Sequence, residues 1–319
     1  MRIVRSAAIG AATLALLVSA CAPGDGGSSP APSGASIASQ LVLGGPPECP
    51  ERPFCLQGLE ETYGLEFREF RPLDAGGPLT VEALKSDQIQ VGLLFTSDPA
   101  IAVNDFVLLD DDKQLQLADN LVPVVRSEVL ARDALMGQVL NRVMAELSQE
   151  ELTAMNKAVV VDGETAAEAA RAFLDRHGFL TEPVDTMARG PIVVGSTNFY
   201  EQEILGEVFA QVLAYNGWQV ERRFQLGNRE IVFPALRGGQ IDLLAEYAAT
   251  AVVFVTEDAT SASTDPAATT QALRDALAPL GLTALDHAAA TDQNGFVVSR
   301  ATATRYGLTS ISDLAKPAP

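Results

Sequence analysis

The sequence predicts an α/β protein of two similar lobes, each a mostly parallel sheet covered by helices. Three observations carry this. Short apolar runs of strand type alternate with helical stretches, the pattern that builds parallel sheets. The same strand-helix order occurs twice along the chain. The length of 319 residues and the 47% apolar content suit one large domain or two lobes of ordinary size and exclude wholesale disorder.

The elements follow in order. Leu41-Val42-Leu43 is a short buried strand before a Gly-Gly-Pro-Pro turn. Residues 56–63 read as a helix stopped by Gly64. Glu66 to Phe70 alternates as a strand. Thr80 can cap a helix running to Lys85, and Ile89 to Phe95 is the next strand. Val129 to Leu147 is amphipathic, and Ser148-Gln-Glu-Glu151 has the spacing of a capping box. A helix over Glu164 to His177 stops at Gly178, with His177 placed as a dipole partner. Ile192-Val193-Val194 is a strand, and Glu201 to Tyr215 is a long helix ending at Asn216-Gly217. Glu201 and Glu203 suit the dipole at its start. Val220 to Leu226, Arg229 to Leu236 and Ile241 to Tyr247 complete a second strand-helix-strand run.

The repeat is specific. Ala83-Leu84-Lys85 leading to Phe95 recurs as Ala235-Leu236-Arg237 leading to Tyr247, an offset of 152 residues (235 − 83). Leu41-Val42-Leu43-Gly44-Gly45 is matched by Ile192-Val193-Val194-Gly195-Ser196. Each copy places a Gly-containing turn after its first strand and an aromatic at the end of its third. Ligands of open parallel sheets bind at the carboxyl ends of the strands. Two such lobes facing each other would bury a ligand between these turns.

The N-terminus reads as an export signal. Arg2 and Arg5 precede an apolar stretch from Ala7 to Val18 that is too short to span a bilayer. Val18-Ser19-Ala20-Cys21 resembles a bacterial lipobox, so residues 1–21 are expected to be a lipoprotein signal peptide with Cys21 as the lipid acceptor. Residues 22–40, rich in Gly, Ser, Pro and Ala, are expected to be a flexible linker. The expected location is exported and lipid-anchored at the outer face of the cytoplasmic membrane. In that oxidising compartment Cys49 and Cys55 are expected to form a disulfide.

Several functions are excluded or disfavoured. Lys plus Arg is 22 and Asp plus Glu is 41, a formal net charge of −19, which argues against nucleic-acid binding. Two histidines and three cysteines leave no metal site, and no cofactor is expected. Asp110-Asp111-Asp112 lacks the spaced ligands of a calcium loop and reads as a solvated loop. No Walker motif or G-x-S-x-G elbow is present, and the chain is read as a non-enzyme. Trp218, between a helix stop and a strand, reads as packing.

Two long segments carry a family resemblance. These are Ile192-Val-Val-Gly-Ser-Thr-Asn-Phe199-Tyr-Glu-Gln202-Glu-Ile-Leu-Gly206 and Leu226-Gly-Asn-Arg-Glu-Ile-Val-Phe233-Pro-Ala-Leu-Arg237-Gly-Gly-Gln-Ile-Asp242-Leu-Leu-Ala-Glu-Tyr247. They resemble the substrate-binding proteins of ABC importers for quaternary amines such as glycine betaine, choline and carnitine. Leu43 to Cys55 looks like part of the second lobe of an actinobacterial branch. The resemblance implies a type II periplasmic-binding-protein fold, with two Rossmann-like lobes and a ligand cleft between them. It implies a monomer that delivers a small osmolyte to an ABC permease. It also implies an aromatic cage, because a quaternary ammonium has no N–H to donate and each ring face attracts it by roughly 0.5–2 kcal/mol.

The positions that match this site are Tyr247, Thr250, Thr197, Phe199 and Phe296. Phe95 and Arg52 match from the other lobe, with Arg52 suited to a ligand carboxylate. Phe95 and Phe296 stand where relatives often carry Tyr, Thr197 where many carry Lys, and Val81 where a cage Tyr is common. These departures suggest a different osmolyte, or a ligand that is bulkier and less cationic. A non-transport ligand sensor or paralogue on the same fold is the alternative.

Segment order departs from the family, in which the part like Ile192 to Pro319 precedes the part like Leu41 to Leu180. A circular permutation is therefore expected, the alternative being a fragment of two tandem copies that folds by exchanging halves between chains. It would place residues 41–105 plus 297–319, with the disulfide loop, in one lobe and residues 106–296 in the other.

Overall fold

The computed structural model describes residues 35–184 and 187–319. The expected signal peptide, its Cys21 and most of the linker lie outside these residues. Among the described residues no helix is long and apolar enough to cross a membrane.

The described strands are β1 (Val42–Gly45), β2 (Glu69–Pro72), β3 (Val91–Phe95), β4 (Phe106–Leu108), β5 (Leu121–Arg126), β6 (Pro191–Gly195), β7 (Gln219–Arg223), β8 (Leu243–Tyr247), β9 (Leu282–Ala284) and β10 (Asn294–Ser299). They form two five-stranded sheets, ordered β2-β1-β3-β10-β4 and β7-β6-β8-β5-β9. In each sheet the first three strands are parallel, and the fourth runs antiparallel to its neighbours on both sides. The two sheets thus share one topology, with β1, β2 and β3 matching β6, β7 and β8. This is the two-lobed type II arrangement.

The repeated glycines have a packing reason. A Cβ on Gly44 would lie 2.6 Å from Ile89 Cδ1, and one on Gly195 would lie 2.4 Å from Ile241 Cδ1. In both lobes the first strand presses against the isoleucine that leads into the third, so only hydrogen fits.

The helix Tyr200–Tyr215 buries Ile204, Leu205, Val208, Phe209 and Val212 in the second lobe. It ends where Asn216 donates its side-chain amide to Val212 O and Gly217 takes φ +94. Trp218 is buried nearby, with the Arg189 guanidinium 4.6 Å from its ring centre.

Several local expectations are corrected. Thr80 does not cap its helix, which runs Pro78–Lys85. The carboxylate of Asp74 accepts from the backbone N–H of Leu79 and Thr80 instead, because first-turn N–H groups have no acceptor within the helix and Thr80 already lies inside it. Ser148 accepts from Glu151 N, but the Glu151 carboxylate turns to Arg176 and His177. The reciprocal capping box forms at Thr165 and Glu168. His177 therefore pairs with a carboxylate besides sitting at a helix end. The second strand begins at Glu69, not Glu66, since pairing with Val42 sets its register.

The fold starts earlier than expected. Ile37 and Ala38 are buried, and Ser36 bridges Pro317 in antiparallel fashion. Ile37 N donates to Lys316 O, and Ala318 N donates to Ala35 O. The last residues of the chain thus lie against its first described ones. The sheet boundaries also differ from those expected. β4 at 106–108 and the first half of β10 at 294–296 belong to the first sheet, because β10 pairs with both β3 and β4. The chain crosses between the sheets at residues 109–120 and 285–293, and these crossings touch through an Asn120–Thr291 bridge.

Candidate functional site

Between the sheets lies a cleft of about 710 Å³. Its walls come from strand ends and the turns after them. From the first lobe come Arg52 and Phe54 in the disulfide loop and Phe95 at the end of β3. Cys49 and Cys55 are bonded, with Cα atoms 5.2 Å apart, which closes that loop around Arg52. From the second lobe come Thr197 and Phe199 after β6, Glu246 and Tyr247 at the end of β8, and Thr250 in the following helix. Asp119 and Asp292, one on each crossing segment, form part of the lining.

Six of the seven sequence-predicted residues line this cleft: Arg52, Phe95, Thr197, Phe199, Tyr247 and Thr250. Phe296 does not. It sits on the same face of β10 as the cleft-lining Asn294, but two residues further along the strand, and is 1% exposed within the core. Val81 lies on the helix Pro78–Lys85, packed beside a core cluster away from the cleft. The rings of Phe95 and Phe199 meet across the lobes with centroids 4.4 Å apart, so each covers part of the other's face.

Both cleft arginines are already paired. Arg52 Nη2 donates to both carboxylate oxygens of Glu230 at 2.9 and 3.0 Å, joining the lobes. Arg229 donates to Glu246 through Nε and Nη2, and to Thr250 Oγ1 at 2.9 Å. Seven carboxyl side chains line the cleft against these two guanidiniums.

In the sequence Glu201 is marked only as a helix-start carboxylate, and Asp119 and Asp292 carry no mark. Glu201 has no exposed surface; its carboxylate accepts from Ser97 Oγ, Asn156 Nδ2 and Tyr247 Oη at 2.6–2.7 Å. It is therefore a core partner that orients Tyr247 and not a solvated helix-dipole charge. Asp119 Oδ1 accepts from Thr250 N, and Asp292 Oδ1 from Ser97 N. Asp292 Oδ2 and Gln202 Oε1 are buried with no hydrogen-bond partner among the described residues. No spacing rule marks these groups, because their partners lie on distant segments.

Burial raises the proton affinity of these acids. It pushes Asp98 up to about 6 and Asp119 up to about 7. Asp292 is raised well above its usual range by burial and then by Glu201. A carboxyl raised in the folded state stabilises the fold fully below its unfolded value of roughly 4, and that stabilisation is lost as pH rises through the folded value. The ligand-free protein is therefore expected to melt at a higher temperature near pH 5 than near pH 8. Circular dichroism melts checks this; a higher melting point at pH 8 would show that these acids are not held protonated.

The family described as "Substrate binding domain of ABC-type glycine betaine transport system" matches residues 31–176 and 190–319. A glycine-betaine-binding protein of Pseudomonas aeruginosa is 33% identical over 138 residues, covering 43% of this chain and 44% of that protein. The carnitine transport binding protein OpuCC of Listeria monocytogenes is 24% identical over 123 residues, 39% of each chain. The chain thus spans less than half the length of these curated relatives. Among solved structures, an ancestral arginine-binding protein bound to arginine aligns with TM-score 0.44 and 13% identity, over 88% of this chain and 92% of that one. The two matched stretches leave little of the folded chain uncovered, and the chain belongs to the family of substrate-binding domains of ABC-type glycine betaine transport systems.

Proposed function

We propose that this protein captures a small quaternary-amine osmolyte between its two lobes, outside the cytoplasmic membrane, and hands it to the permease of an ABC importer. The observation that carries this reading is the meeting of Phe95, Phe199 and Tyr247, drawn from both lobes, on one acidic cleft. Ring faces and carboxylates both attract a cation that cannot donate an N–H bond. The protein acts by binding and release, with no chemical step. It works as a monomer tethered through a lipid on Cys21. Calorimetric titration with glycine betaine, choline, carnitine, proline betaine and ectoine tests this. One-to-one binding of at least one quaternary amine is expected; no heat from any of them at millimolar concentration would overturn the reading.

The segment order is proposed to be an intramolecular circular permutation of the family fold. The pairing of Ser36 with Pro317 supports it, since the ends that a permutation opens must lie side by side where the family chain runs on unbroken. A variant that links Pro319 to Ala35 and opens at residue 190 is expected to fold as a monomer with unchanged affinity. Light scattering that gives a dimer for the unaltered chain would point to exchange of halves between two copies.

A further inference from the structure

We propose, resting on the importer reading above, that Leu79 and Ile231 are the paired anchors by which the two lobes dock on the permease, each entering an apolar socket bordered by Lys or Arg.

The observation is a match of positions. The repeat offset of 152 residues carries Leu79 onto Ile231 (231 − 79). Both stand in the first turn of the helix that follows the second strand of their lobe, Pro78–Lys85 after β2 and Arg229–Arg237 after β7. The inward faces of these helices correspond: Thr80, Ala83 and Leu84 are buried in one, and Val232, Ala235 and Leu236 in the other. Leu79 and Ile231 lie off those faces, 63% and 58% exposed. One exposed aliphatic side chain needs no explanation. A large one at the same outward position of both copies does, because neither helix uses it for packing.

Their place is where a receiver of the ligand must sit. These helices begin at the carboxyl ends of the strands, where the cleft opens. Gly77 and Pro78 from one lobe and Asn228 from the other line a single cavity of about 550 Å³ between the lobes. Asn228, Arg229 and Glu230 also line the ligand cleft. Leu79 and Ile231 therefore flank its mouth, one on each lobe. Two like anchors fit a receiver that offers two like sockets. Charge sets the border of those sockets. Glu48, Glu51, Glu230 and Glu257 line the cleft with only Arg52 and Arg229 as cations, and the chain carries −19. An acidic receiver would be repelled, whereas a basic one is steered to the mouth and then seated by the aliphatic anchors.

Uptake of radiolabelled glycine betaine, choline and carnitine, each run separately, tests this in cells of the source organism that lack the gene and carry the unaltered protein or a variant at equal level. The unaltered protein is expected to restore uptake of at least one amine. Leu79→Ser and Ile231→Ser should each lower that uptake, and the double variant should lower it by about tenfold or more, as loss of two interface anchors does. By calorimetry the purified double variant should bind the same amine within about twofold of the unaltered protein, since neither side chain lines the cleft. Val103→Ser removes an aliphatic side chain that is 59% exposed elsewhere on the first lobe, and should leave uptake unchanged. Normal uptake by the double variant, or a loss traced to one position alone, would overturn the docking pair and leave the importer reading standing. A dimer of the unaltered protein in light scattering that the double variant dissolves would assign the pair to self-association and overturn the docking pair as well. No uptake of any of the three amines by cells carrying the unaltered protein would overturn both.

Discussion

Truncating Tyr247 to alanine is expected to weaken ligand binding tenfold or more, about 1.4 kcal/mol for each decade. Two losses combine. The ring at the end of β8 leaves the cleft wall, and with it goes a cation–π face. Glu201 also loses the donor that Tyr247 Oη supplies at 2.7 Å. Tyr247→Phe separates the two, because it keeps the ring and removes only the hydroxyl. It should retain most of the affinity while melting at a lower temperature, since Glu201 is left with one unfilled acceptor in a buried place. Calorimetry on folded variants reads the first effect and thermal melts the second. Unchanged affinity in a folded Tyr247→Ala protein would remove this residue from the site.

Phe296→Ala should act on the opposite property. The ring is 1% exposed on β10, opposite Leu93 and inside the first lobe's core. Deleting a buried phenylalanine costs about 3–5 kcal/mol, from lost transfer energy and the cavity left behind. The midpoint of urea unfolding should fall accordingly, while the affinity of the fraction that remains folded stays within about twofold of the unaltered protein. A variant of normal stability with lost binding would return Phe296 to the ligand cage. The pair of substitutions thus separates a wall residue from a core residue that the sequence placed in the same group.

The error over Phe296 shows how sequence evidence grades. The resemblance placed an aromatic near the end of a strand, and the strand is there. Whether a ring faces the cleft or the core depends on depth along that strand by two residues, about 7 Å. That depth is set by where β10 pairs with β3, and the partners are 200 residues apart in sequence, as with Asn294 and Phe95 (294 − 95 = 199). The turn residues Thr197 and Phe199 were easier to place. They stand directly after β6, inside one of the long motifs that carry the resemblance.

By itself, the sequence determined the α/β class, the doubled strand-helix unit, the disulfide loop around Arg52 and six cleft residues. The class, the repeat and the disulfide loop rest on local periodicity and short-range spacing, and the cleft residues on the family resemblance. Only the tertiary structure decided how charge is distributed in the cleft. Arg52 reads as a free anion receptor in sequence, yet Glu230, 178 residues away, occupies it. Glu201 reads as a surface helix charge, yet Ser97, Asn156 and Tyr247 enclose it. Asp119 and Asp292 come together because both crossings between the sheets pass the same point. The physical reason is general. The cost of burying a charge depends on which distant groups reach it, and that pairing belongs to the fold and not to any window of the chain.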